Sequence, residues 1–163
     1  MTAIHLALRS LFAELVDGAN RPGGAFMLNS GDVGLHRSLD KLSPDEASQR
    51  VQGGATIAAH AQHLRYGLSL LNRWAEAGGN PFASAKWDEA WTTSTVDAEE
   101  WDQIRTGLSD EARRWGEALG AERETTLVEL SGMIGSVAHL AYHLGAIRQI
   151  ATSARGPREG TFT

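Results

Sequence analysis

Residues 130–147 read LSGMIGSVAHLAYHLGAI, eighteen positions without one Asp, Glu, Lys or Arg. The stretch belongs to a helical pattern running from about Thr126 to Ser153. Its length raises the question of a membrane span. Two histidines, three glycines and two serines inside it argue against one, as does its place at the end of an acidic, otherwise amphipathic chain. A helix that is apolar on nearly every side is expected to be buried on nearly every side. The reading is therefore the central helix of a bundle, with glycines allowing close neighbours.

Three further long helices can be traced outward from this one. Ile4, Leu8, Leu11 and Leu15 recur at helical steps and predict a first helix that stops near Asp17-Gly18, with Arg21-Pro22-Gly23-Gly24 prolonging the break. A shorter pattern follows at Val33, Leu35, Leu39 and Leu42. Ser43-Pro44-Asp45-Glu46 is a helix start, with serine as cap, proline in the first turn and Glu46 placed to complete a capping box. Residues 54–77 carry Ile57, Ala61, Leu64, Leu68, Leu71 and Ala75 on one face, and Gly78-Gly79-Asn80-Pro81 ends that helix. After a loop from Phe82 to Thr95, Asp97 caps a helix with the stripe Trp101, Ile104, Leu108, Ala112, Trp115 and Leu119, closed by Gly120. Four long helices with few β signals predict an all-α, four-helix-bundle fold with short extra helices in the connections. The domain is expected to span 1–154, with 155–163 as a flexible C-terminal tail.

Composition narrows the chemistry. The 163-residue chain has six histidines, five tryptophans and no cysteine, with a net charge of −5. Without thiolates, any metal must be held by imidazole, carboxylate or carbonyl. The acidic balance and the lack of a Lys/Arg run argue against nucleic-acid binding. The N-terminus has no signal-peptide pattern, so a cytoplasmic protein is the expectation.

The sharpest motif is His139-Leu140-Ala141-Tyr142-His143. Histidines at i and i+4 lie about 40° apart around a helix, so both imidazoles can chelate one divalent ion. The second position is Leu140 rather than glutamate, so the HExxH mechanism is not supported. A third ligand should come from residues 54–77, where His60 and His63 stand three apart. Periodicity leaves the two open, slightly favouring His60 as the more interior. His5 and His36 have no chelating neighbour and are expected to be ordinary surface or boundary residues.

A histidine midway along the second helix, followed by HxxxH on the last helix and then G-x-I-R, resembles the DinB/YfiT-like superfamily. The likeness covers most of the chain, including Trp87, Trp91 and Trp101 and the closing stretch His139 to Ile150. It implies a three-histidine metal site with His63, His139 and His143 as ligands, leaving His60 as a neighbour or competitor. It implies Zn²⁺ or Ni²⁺, with Fe²⁺, Co²⁺ or Mn²⁺ as alternatives, and an open coordination position. It also implies group transfer with a low-molecular-weight thiol, or hydrolysis, on a small molecule, and a homodimer. The family's name refers to a DNA-damage-inducible gene, but the charge argues against DNA. The alternative is a non-catalytic metal- or ligand-binding helical protein.

Supporting roles are less defined by the sequence. Tyr142 points about 100° from each neighbouring histidine and reads as a packing residue. Arg148 could anchor a substrate anion, although pairing with a carboxylate is favoured. Trp74, Trp87 and Trp91 are candidates for a pocket mouth or for caps of the core. No carboxylate stands out as a general base, and Asp32 and Asp88 fall in loops.

Overall fold

The computed structural model describes residues 3–19 and 25–157. The predicted break at Arg21–Gly24 and the end of the expected tail lie outside them. Among the described residues there is no strand, and the elements are α1 (Ala3–Asp17), α2 (Gly34–Asp40), α3 (Pro44–Ala47), α4 (Ile57–Ala77), α5 (Ala98–Gly120) and α6 (Leu127–Ile150). Two single-turn 3-10 helices cover Glu89–Trp91 and Thr152–Ala154. The protein is thus all-α, as the periodicity predicts. Among the described residues no helix is long and apolar enough to cross a membrane.

Local sequence chemistry sets the helix starts. Ser43 and Glu46 form the expected capping box at α3, with Pro44 in its first turn. Thr56 accepts a hydrogen bond from the Ala59 amide and caps α4, which starts at Ile57, three residues later than the apolar pattern suggests. Asp97 and Glu100 exchange hydrogen bonds with each other's backbone amides at the head of α5. Thr126 and Glu129 make a second capping box at α6. Each device satisfies amides that a helix N-terminus leaves without an internal partner.

The chain falls into two compact units, Met1–Lys41 with Leu119–Thr163, and Leu42–Ala118. In the first, α1 packs on α2 and on α6. Its core includes Phe12, Leu15, Leu35, Leu39, Met133, Leu140 and Ile147. α1 turns a face of His5, Leu8, Phe12 and Leu15 inward, while Ile4 is exposed. His5, expected at the surface or boundary, is only 1% exposed. It sits one helical turn before Leu8 and so shares the buried face.

Two glycines let the backbone cross itself beside α1. Gly18 (φ +100°) follows α1 and Gly34 (φ +74°) opens α2. A Cβ on Gly34 would lie 2.5 Å from the Gly18 nitrogen and 2.7 Å from the Val16 carbonyl. The crossing is pinned by the Ala19 amide donating to the Asp32 carbonyl at 2.8 Å. Nearby, the buried Glu14 carboxylate accepts from three consecutive amides, Phe26, Met27 and Leu28, at 2.7–3.1 Å.

In the second unit α4 packs on α3 and on the Glu89–Trp91 turn. Ile57, Leu64, Leu70, Trp101, Leu108 and Trp115 are buried. The Trp101 indole donates to the Leu42 carbonyl at 3.0 Å, which gives a buried ring its polar partner. Asn72 of α4 donates to the Glu111 carbonyl and carboxylate of α5.

α6 corrects one expectation. It is not buried on nearly every side: Leu127, Val128, Ile134 and Tyr142 are 80, 74, 48 and 70% exposed. The absence of charge says that every side could be covered, while coverage itself depends on how many neighbours the helix receives. α6 also ends at Ile150 rather than Ser153, because Ala151 turns extended (φ −120°, ψ 121°) before the last 3-10 turn.

Candidate metal centre

α6 presents the HxxxH pair as the spacing predicts. The Nε2 atoms of His139 and His143 lie 2.9 Å apart, and the rings meet edge to face at 4.4 Å between centroids. His143 is buried, and His139 is the more exposed of the two. Burial holds the His139 imidazole below its ordinary pKa, toward the neutral form that a metal needs.

α4 supplies the other two candidates. His60 and His63 are both buried, at 8% and 7% exposure, so depth does not choose between them any more than periodicity does. Their neighbours come from the loop after α4. Trp91 stacks on His63 with 4.2 Å between centroids and meets His60 edge-on at 5.3 Å. Trp87 lies 5.5 Å from His63 and packs against Tyr66 and Phe82. The Trp87 ring lies over Gly67, 3.9 Å from where a Cβ would stand, an ordinary van der Waals distance. Desolvation lowers the His60 pKa.

His63, His139 and His143 each offer one ring nitrogen such that all three atoms lie within 4.8 Å of one another, and the group could hold a metal ion. Nitrogens bound to zinc at about 2.0–2.1 Å stand roughly 3.3 Å apart in a tetrahedron and roughly 2.9 Å apart at a right angle. The His139–His143 separation already falls at the lower of these values. The donor set therefore fits a borderline divalent cation, and three neutral imidazoles leave at least one coordination position open.

The remaining candidates settle elsewhere. Arg148 pairs with Asp32, Nη2 to Oδ1 at 2.7 Å, as the carboxylate-pairing expectation had it. It lies five residues beyond His143, which turns it about 140° away around the helix. Tyr142 touches the His143 ring edge-on at 5.1 Å but is mostly exposed, so it is not the packing residue expected. Trp74 contacts Phe82, not the histidines, at 6.4 Å. Asp88 is exposed, and its carbonyl accepts the Trp91 amide at 3.1 Å. His36 is half-buried, and desolvation lowers its pKa against the opposing pull of Asp17 and Asp40.

The stacking of Trp91 on His63 was not predicted from sequence. The tryptophans were visible, but nothing in their spacing placed one ring on a histidine of the preceding helix. Set beside known proteins, the chain matches no family model, no curated protein and no solved structure. What fold and site define is the class: an all-helical protein with a three-histidine group able to hold a metal ion.

Proposed function

We propose that His63, His139 and His143 are the ligands of a mononuclear divalent metal centre, and that the protein uses it for group transfer to or from a low-molecular-weight thiol, or for hydrolysis, on a small molecule. One observation carries the reading: three imidazole nitrogens, from residues on α4 and α6, lie within 4.8 Å of one another. Imidazole donors suit several divalent ions, and the resemblance favours Zn²⁺ or Ni²⁺ among them. The bound ion would supply Lewis acidity at its open position, where water or a thiol can be deprotonated.

The chain's own residues prepare that position. Burial keeps the His139 imidazole neutral and ready to ligate. Trp91 lies flat on His63 and restricts its ring rotation, which pre-orients one ligand at low entropic cost. The absence of cysteine means that any thiol must arrive with the substrate.

The resemblance to the DinB/YfiT-like superfamily agrees with this reading, and the order and lengths of α1, α4, α5 and α6 agree with the four long helices of its bundle. The open apolar face of α6, with Ile134 and Tyr142 on it, supports the homodimer that the resemblance implies.

The test is metal analysis and thermal unfolding of the purified protein beside a His139→Ala/His143→Ala variant, with His60→Ala as control. About one equivalent of metal is expected in the wild type and in His60→Ala, and none in the double variant. At free metal a hundredfold above Kd, binding should stabilise the fold by about 2.7 kcal/mol. Equal substoichiometric metal in wild type and double variant would remove the basis for the centre. A screen of thiols with electrophilic acceptors then separates group transfer from hydrolysis.

A further inference from the structure

A cavity of about 670 Å³ lies wholly within the first compact unit, lined by Asn29, Asp32, Arg148, Gln149, Arg155 and Gly156 among others. It is built around an ion pair. Asp32 is 3% exposed at its side chain and Arg148 is 16% exposed. Asp32 Oδ1 also accepts the Gly34 amide at 2.9 Å, so this carboxylate is committed to the fold. The Arg148 guanidinium gives Nη2 to that pair, while its Nε is buried without a hydrogen-bond partner. A buried donor in that state calls for an acceptor.

Arg155 lines the same cavity. Its Nε donates to the Arg148 carbonyl at 3.1 Å, one of the acceptors that the end of α6 leaves over. That bond fixes the guanidinium while leaving its two terminal amino groups for a ligand. Gly156 lets the backbone lie directly on the ion pair, since a Cβ at this position would strike the Asp32 carboxylate. Two guanidiniums against one carboxylate leave a single net positive charge, and the Asn29 and Gln149 amides add neutral polar contacts.

The geometry points to a binding site for a small polar carboxylate, separate from the histidine group, with Arg155 as the principal anion contact. An arginine fork offers paired donors to the two oxygens of a carboxylate. One net charge matches one carboxylate, and the amides match hydroxyl or carbonyl groups beside it.

The test is a titration of the isotope-labelled protein with sodium lactate, followed by amide chemical shifts, with inorganic phosphate as a second arm. Saturable shifts are expected at Gly145, Gln149 and Gly156, with Kd on the order of 1 mM for so small a ligand. Arg155→Ala should weaken lactate binding at least about tenfold, the scale of one lost charged hydrogen bond. Arg155→Lys, which keeps the charge and loses the fork, should fall between. Arg155 is exposed, so a dispersed spectrum is expected for both variants. The inference is overturned by shifts that do not saturate, by shifts centred on His139 and His143, by unchanged affinity in Arg155→Ala, or by phosphate binding more tightly than lactate.

Discussion

Replacing Arg148 by methionine should destabilise the protein more than its position near the end of a helix suggests. The guanidinium lies 2.7 Å from Asp32 Oδ1, with the carboxylate side chain only 3% exposed. Methionine preserves most of the aliphatic stem, so the main loss is the charge partner. Removing one member of a buried pair costs about 3–5 kcal/mol, because the other charge is left without compensation. Arg148 retains 16% exposure, and Asp32 keeps its bond from Gly34, so the lower end, about 3 kcal/mol, applies. For a chain of this size that loss lowers the melting temperature by about 6–12 °C and the urea midpoint by about 1–2 M. The decisive assay is a double-mutant cycle by urea unfolding with Asp32→Asn. Arg148→Met/Asp32→Asn should be more stable than the sum of the single losses allows, with a coupling of about 1.5–3 kcal/mol, because the orphaned charge disappears with its partner. A loss below about 1 kcal/mol in Arg148→Met, or strict additivity in the cycle, would refute the reasoning.

Two further outcomes test other parts of the structure. Burial lowers the pKa of His36 and His60 from 6.5 in the folded protein. Above about pH 6.5 both rings are neutral in either state, and below it the unfolded chain takes up protons that the folded chain resists. Stability should therefore fall as pH drops below 6.5, and urea midpoints measured from pH 7.5 to 5 should show a shallower fall in His36→Gln. At the crossing beside α1, Gly34→Ala should cost more than about 3 kcal/mol, since it combines a positive φ with a Cβ 2.5 Å from the Gly18 nitrogen. A circular-dichroism melt within a few degrees of wild type would contradict that packing.

Much of the helical framework was legible because it is encoded locally. Ser43 with Glu46 and Asp97 with Glu100 announce their helix starts through contacts three residues apart. The stripe from Trp101 to Leu119 announces its buried face by period alone, and all of its members are buried. The i, i+4 relation of His139 and His143 is likewise a property of one helix, and the 2.9 Å approach of their nitrogens follows from it. The misjudged features depend on what else is nearby. Residues 130–147 show that α6 tolerates apolar surroundings on all sides, yet Ile134 and Tyr142 face outward because nothing in the described chain covers them.

The sequence by itself determined the all-α class, the positions of the long helices and the chelating pair on α6, since hydrophobic period, capping and helical pitch act within a few residues. It also excluded thiolate ligands outright. Only the tertiary structure brought a nitrogen of His63 into the group with His139 and His143. Only the fold stacked Trp91 on His63, and only the fold set Asp32, 116 residues away in the chain, against Arg148. Glu14 could be read as one more helix charge until its carboxylate was seen to gather three amides of the following loop. The physical reason is common to all four. Periodicity says which side of a helix turns inward, whereas the partner it meets depends on chain crossings such as the one at Gly18 and Gly34, which no local pattern records.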